Sequence, residues 1–154
     1  MAKIEVEQTF PVPAAHLYTT ICDMDSWGEW FTMHGEFVEP PPERLRTNSR
    51  YTQSIQVMGM PFTVEFVVTE FRPPMRLVLT GRGTAGLSCQ FDFGVMRGTG
   101  GRVTKLSMSG DFESPMLNDQ LEQVLMDTCT SQLMLSLERL AQVAAQRSVS
   151  RLGK

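Results

Sequence analysis

The chain has 154 residues, 42% apolar and 20% charged, with a formal charge of 14 − 17 = −3. That length fits one domain with a core of its own, and the composition excludes a disordered protein. The acidic balance excludes a general binder of nucleic acid or of anionic membranes.

Ile4, Val6 and Thr9-Phe10 alternate as a half-buried strand, which Pro11 and Pro13 stop. Pro13 suits the first position of a helix, and Ala14 to Cys22 reads as a short one with Leu17, Tyr18 and Ile21 on one face. Asp23 to Phe31 reads as a second short helical turn, capped by Asp25 or Ser26. From Gly35 to Phe112 short runs of Val, Phe, Thr and Leu alternate with turn residues. Strands are expected near 35–39, 49–58, 61–71, 75–82, 86–96 and 102–112. Gly59-Met60-Pro61, Arg72-Pro73-Pro74 and Gly98-Thr99-Gly100-Gly101 connect them. Such links are too short for parallel crossovers, so sequence neighbours should pair antiparallel. After Ser114, an expected N-cap, and Pro115, the period turns helical until about Gln146. Asp119, Glu122 and Asp127 occupy the front of that helix and Arg139 and Arg147 its back, as the helix dipole favours. Ser148 to Lys154 is expected to form a flexible tail, leaving a single domain over 1–147.

Cys22, Cys89 and Cys129 are an odd, widely spaced set without CxxC, so neither a metal site nor a disulfide framework is expected. The opening Met-Ala-Lys-Ile-Glu-Val-Glu alternates charge and hydrophobe, unlike a signal peptide, and no window approaches 18 apolar residues. These features predict a reduced, cytoplasmic, soluble protein without a membrane span.

Four segments in order carry a resemblance: Phe-Pro-Val-Pro-Ala-Ala-His-Leu-Tyr (10–18), Cys-Asp-Met-Asp-Ser-Trp-Gly-Glu-Trp (22–30), Val-Thr-Glu-Phe-Arg-Pro-Pro-Met-Arg-Leu (68–77) and Gly-Thr-Gly-Gly-Arg-Val-Thr (98–104). Together they resemble the START-like (SRPBCC) superfamily of polyketide cyclase/dehydrase and lipid-transport proteins. The resemblance covers about residues 2–145. It implies an α+β helix-grip fold, in which a curved antiparallel sheet of about seven strands wraps a long C-terminal helix, with two short helices after the first strand. It also implies a ligand cavity between sheet and helix.

Strand alternation selects the residues that face such a cavity. Phe62, Val64, Phe66 and Val68 alternate with Thr63, Glu65 and Thr69; Leu87, Cys89, Phe91, Phe93 and Val95 alternate with Ser88, Gln90 and Asp92. Tyr51, Gln53, Ile55 and Val57, Leu77 and Leu79, and Leu106 and Met108 are expected on the same face. On the helix, Leu117, Leu121, Val124, Leu125, Thr128 and Gln132 recur at steps of three and four. Tyr51, Gln53, Thr128 and Gln132 are the candidate polar groups among an apolar lining, and eleven methionines add adaptable volume. Trp27 and Trp30 read as buried anchors of the short helix; the alternative is that they seal one end of the cavity, on whose wall Trp30 is a candidate.

Catalytic residues are sparse. His16 reads as helix surface and His34 as a surface or hinge residue, while Asp23 and Asp25 read as caps. Arg44, Arg46 and Arg50 read as a solvated basic loop. His34, Tyr51 and Arg82 are the weak candidates for acid–base work, and no cofactor or metal is implied. The expectation is a module that binds or transports a small hydrophobic or aromatic ligand (a lipid, polyketide or quinone-like compound). The alternatives are an aromatase/cyclase-like enzyme and a protein-interaction regulator with a protein partner.

Overall fold

A computed structural model describes residues 2–98 and 103–152, with side chains through Arg147. The strands are β1 (Ala2–Phe10), β2 (His34–Phe37), β3 (Arg50–Val57), β4 (Met60–Arg72), β5 (Arg76–Gly83), β6 (Ser88–Arg97) and β7 (Thr104–Glu113). The helices are α1 (Ala14–Cys22), α2 (Trp27–Trp30), preceded by a 3-10 turn over Met24–Ser26, and α3 (Asp119–Leu152). Consecutive strands from β2 to β7 pair antiparallel, and β1 returns to pair with β7, giving the order β1-β7-β6-β5-β4-β3-β2. The fold is the expected α+β helix grip, with α3 packed on β1, β7, α1 and α2.

The strands bury the faces their alternation selects. Tyr51, Gln53, Ile55 and Val57 are buried on β3, Val64, Phe66 and Val68 on β4, and Cys89, Phe91, Phe93 and Val95 on β6. Leu77, Leu79, Leu106 and Met108 join them, whereas Phe62, near the β3–β4 turn, is half-buried. Cys89 and Cys129 are buried, Cys22 is half-buried, and all three thiols are free.

Asp23 caps the 3-10 turn before α2, its side chain accepting from the Asp25 amide at 3.2 Å, and Ser26 stands at the N-cap position of α2 without a side-chain cap bond. Two local expectations are corrected. At α3, Ser114 and Pro115 belong to a preceding turn, where Ser114 Oγ accepts from the Met116 amide at 3.2 Å. The helix itself starts at Asp119, with Asn118 Oδ1 accepting from the Leu121 amide at 2.9 Å as the N-cap. It continues to Leu152, past the expected end near Gln146. Of the expected Gly98-Thr99-Gly100-Gly101 turn, Gly98 donates to the Val103 carbonyl at 2.8 Å, and 99–102 lie outside the described residues.

The second correction concerns the inward stripe of α3. Leu125 is buried as expected, but it continues through Cys129, Leu133, Ser136, Leu137, Leu140, Ala141 and Ala144. Leu121 (41% exposed), Val124 (53%) and Thr128 lie on an exposed flank instead. With about 100° between successive residues, the stripe is rotated by roughly one residue position from the expected one. Leu133, Leu137 and Leu140 carry the stripe with the small Cys129, Ser136, Ala141 and Ala144 beside them, and α3 packs against α1 and α2.

Candidate functional site

The interior is filled by rings. Phe31 meets Phe91 at 5.3 Å, Phe91 meets Phe66 at 6.0 Å, and Phe66 stacks on Tyr51 at 5.4 Å. The chain of rings continues from Tyr51 to Phe37 at 5.9 Å and from Phe37 to His34 at 4.7 Å. Gly81 makes room for it, since a Cβ there would meet Val64 Cγ1 at 2.5 Å and the Phe66 ring at 2.7 Å. At the other end Trp27 and Trp30 pack edge-on against Phe93 at 5.6 and 5.9 Å. Both tryptophans are fully buried, as expected of anchors.

The polar atoms cluster where β2 meets β3. Register explains how. The pairing of His34 with Ile55 and of Glu36 with Ser54 leaves Gly35 as an extra residue. This bulge puts both His34 and Phe37 opposite inward-facing β3 residues, Ile55 and Gln53, which unbroken alternation would forbid. Glycine is needed there because a Cβ at Gly35 would sit 2.9 Å from the Ser54 carbonyl oxygen.

Gln53 is fully buried, and its Nε2 lies 2.7 Å from His34 Nδ1. An amide nitrogen can only donate, so Nδ1 accepts and the neutral imidazole carries its proton on Nε2. Burial holds the His34 pKa below its usual value, against a smaller opposing effect of Glu36. Gln53 Oε1 and Tyr51 Oη, both buried, have no hydrogen-bond partner among protein atoms. Burial, and secondarily Cys89, push the Tyr51 phenol well up, and burial pushes the Cys89 thiol up to about 12. The patch therefore presents a neutral acceptor, a neutral phenol and a neutral imidazole on an apolar wall.

The remaining candidates divide clearly. Trp30, Ile55, Val64, Phe66, Leu79, Cys89, Phe91, Phe93, Met108 and Leu125 are buried in the interior with Tyr51 and Gln53. Gln132 is half-buried, and its backbone carbonyl accepts from Thr32 Oγ1 at 3.0 Å, tying the segment before β2 to α3. Leu121 and Thr128 are exposed and lie apart from the polar patch. Arg82 is exposed too, on the opposite face of β5 from Gly81, so it does not join Tyr51 and His34. His34 itself is not the surface residue expected: the Gly35 bulge turns it onto Gln53. Phe37 went unselected because its inward position depends on the same bulge. His16 is half-buried, and its Nδ1 has no partner among protein atoms. Arg44 borders a separate cleft of about 550 Å³ lined by Tyr18, Cys22, Leu45 and Phe71, where Arg147 pairs with Asp23 at 2.7 Å. Among the described residues, no three His, Cys, Asp or Glu side chains converge as a metal site would require, and no helix is long and apolar enough to cross a membrane.

Comparison with known proteins gives a consistent result. The family profile described as "Polyketide cyclase / dehydrase and lipid transport" matches residues 1–145. Among curated proteins, "Toxin Rv0910" of Mycobacterium tuberculosis (strain H37Rv) is 26% identical over 87 residues, 56% of this chain and 60% of that protein. "Uncharacterized protein Rv1546" of the same strain is 26% identical over 86 residues, with the same coverage. The chain thus spans about 60% of the length of the curated relatives it matches. A START superfamily protein from Mycobacterium smegmatis superposes with a TM-score of 0.72 at 12% identity, covering 93% of this chain and 99% of that one. Protein CV1439 from Chromobacterium violaceum gives 0.69 at 16% identity, covering 94% and 98%. At such identities these structures share the fold.

Proposed function

The chain belongs to the polyketide cyclase / dehydrase and lipid transport family, and from that premise we propose that it binds a small hydrophobic ligand between the inner face of its sheet and α3. The observation that carries the reading is the pair Tyr51 Oη and Gln53 Oε1, buried without partners on an otherwise apolar wall. Buried polar groups are normally hydrogen-bonded, and leaving one unmade costs roughly 1–3 kcal/mol. A pair on one strand face is what a ligand's polar end would engage, while Val64, Phe66, Leu79 and Phe91 hold its apolar body. Rings fill the interior, so entry requires them to move aside.

The test is a methyl-detected NMR titration with naphthalene as an apolar probe. Saturable shifts at Val64, Leu79 and Leu125 support the reading, and shifts confined to exposed methyls such as Val124 overturn it. The second reading, a protein-interaction module, is favoured by one observation: Leu121, Val124 and Leu135 form an exposed apolar flank on α3. A catalytic reading has less support, because Arg82 stands apart from Tyr51 and His34.

A further inference from the structure

We infer that the ligand is uncharged and carries a hydroxyl on a rigid apolar frame: the hydroxyl donates to Gln53 Oε1, and a carbonyl or second hydroxyl accepts from Tyr51 Oη. This inference rests on the ligand-binding reading above and adds selection by chemical type.

Three observations lead to it. First, the amide of Gln53 is oriented by His34. With Nε2 given to Nδ1 at 2.7 Å, the atom left over is an acceptor, and an acceptor can be satisfied only by a donor. In the tautomer protonated on Nε2, His34 acts as a positioning residue that holds the amide with its oxygen toward a ligand. Second, Tyr51 and Gln53 alternate on one face of β3, about 6.6 Å apart along the strand at roughly 3.3 Å per residue. Phe66 stacks on the Tyr51 ring and Phe37 lies edge-on to it, fixing the phenol's direction. Third, no charged side chain is buried among the described residues, whose buried polar groups are Thr20, Ser26, Gln53, Thr104 and Ser136. A carboxylate or phosphate brought to this wall would lose its hydration with only the half-buried His34, whose cationic form burial disfavours, to meet it, a cost that exceeds what one hydrogen bond returns. The same argument disfavours an ammonium, since the Tyr51 phenol and Cys89 thiol stay neutral at ordinary pH. Fatty acids and acidic lipids are therefore poor ligands, and hydroxylated aromatic or enolic molecules are good ones.

The experiment compares naphthalene, 2-naphthol, 2-acetylnaphthalene and 2-naphthoate at pH 7 by the same NMR titration, on the full chain and on Gln53→Leu and Tyr51→Phe. The expected order places 2-naphthol about fivefold tighter than naphthalene, the effect of one net hydrogen bond, and 2-naphthoate at least tenfold weaker than 2-naphthol. Gln53→Leu should erase the advantage of naphthol over naphthalene. Tyr51→Phe should do the same for 2-acetylnaphthalene. The unmodified protein's preference for naphthol over naphthoate tests the idea even where a variant fails to fold. Naphthoate binding as tightly as naphthol overturns the inference, as does a naphthol advantage that survives Gln53→Leu, the result expected if internal water satisfies the amide. Either outcome leaves the ligand-binding reading standing if naphthalene still binds inside. If no probe shifts an interior methyl, both fall.

Discussion

The tryptophan end of the interior and its β3 end are built from the same materials, large rings with polar handles, but they treat those handles differently. Trp27 Nε1 donates to the Ile21 carbonyl at 2.9 Å, and Trp30 Nε1 to Ser26 Oγ at 3.0 Å. Ser26 in turn lies 2.9 Å from the Thr20 carbonyl and 2.7 Å from that of Asp23. Each polar atom there has its partner, and the network ties α1 to α2. At the β3 end, an equally buried phenol and amide oxygen have none. The contrast separates two roles that burial alone cannot. A closed network rigidifies and specifies the core, whereas an open one marks where a missing partner belongs.

If this division holds, damage at the tryptophan end should have the largest effect. Trp30→Ala removes a fully buried ring packed on Phe31 and Phe93, and should lower unfolding free energy by about 3–5 kcal/mol in guanidinium titrations. Ser26→Ala leaves the indole N–H of Trp30 unpaired and should cost about 1–3 kcal/mol by the same measurement. A loss below half a kcal/mol at Ser26 would remove the grounds for calling that network structural.

Gly81→Ala probes the wall between the two ends. Its Cβ would enter the space of Phe66, the ring stacked on Tyr51. Overpacking of this kind costs about 1–3 kcal/mol, and because the displaced ring is a site ring, interior probe affinity should fall along with stability. A stability loss with affinity unchanged would place Phe66 in the core alone.

The β3 end should respond in the opposite direction. Replacing an unpaired buried polar group by an apolar one of similar shape is neutral or stabilising. Tyr51→Phe should therefore leave unfolding free energy unchanged or raise it by up to about 1 kcal/mol. A loss of 1 kcal/mol or more would show that Tyr51 is already satisfied, and would erase the contrast.

Much of this arrangement was legible in the sequence because strands report their faces directly. The alternation around Phe91 and Phe93, and around Val64 and Phe66, selected the buried side, with Phe62 at the end of β4 only half-buried, since a period of two fixes the face of each residue. The candidate site was legible where it followed that period, at Tyr51 and Gln53. It was not where a bulge broke it: His34 and Phe37 are three residues apart, and only the extra Gly35 turns both inward. On α3 the difficulty was different. Leu121 and Val124 are large and apolar yet exposed, while Ser136 and Cys129 are small yet buried. Ser136 also donates a hydrogen bond to the Gln132 carbonyl one turn back at 2.9 Å and accepts one from the Thr32 amide at 3.0 Å, a partner from a distant part of the chain that no local pattern reveals.

The smallest expected effect concerns His34, the half-buried edge of the β3 patch. Burial lowers its pKa in the folded protein relative to about 6.5 in the unfolded chain, and Glu36 only partly offsets this. The folded state therefore binds fewer protons than the unfolded state across the interval between the two values, and stability there rises with pH. The contribution is fully present above about pH 6.5 and is lost as pH falls through the folded value. His34→Gln removes the titrating group while keeping a polar side chain opposite Gln53. Melting temperatures of the two proteins from pH 8 to pH 5 should run parallel above pH 7, and below it the unmodified protein should fall more steeply. Carboxylates common to both cancel in the difference. Parallel curves throughout would mean that the His34 ring is solvated like a free imidazole, and that the Gln53 amide is free to turn either end toward a ligand.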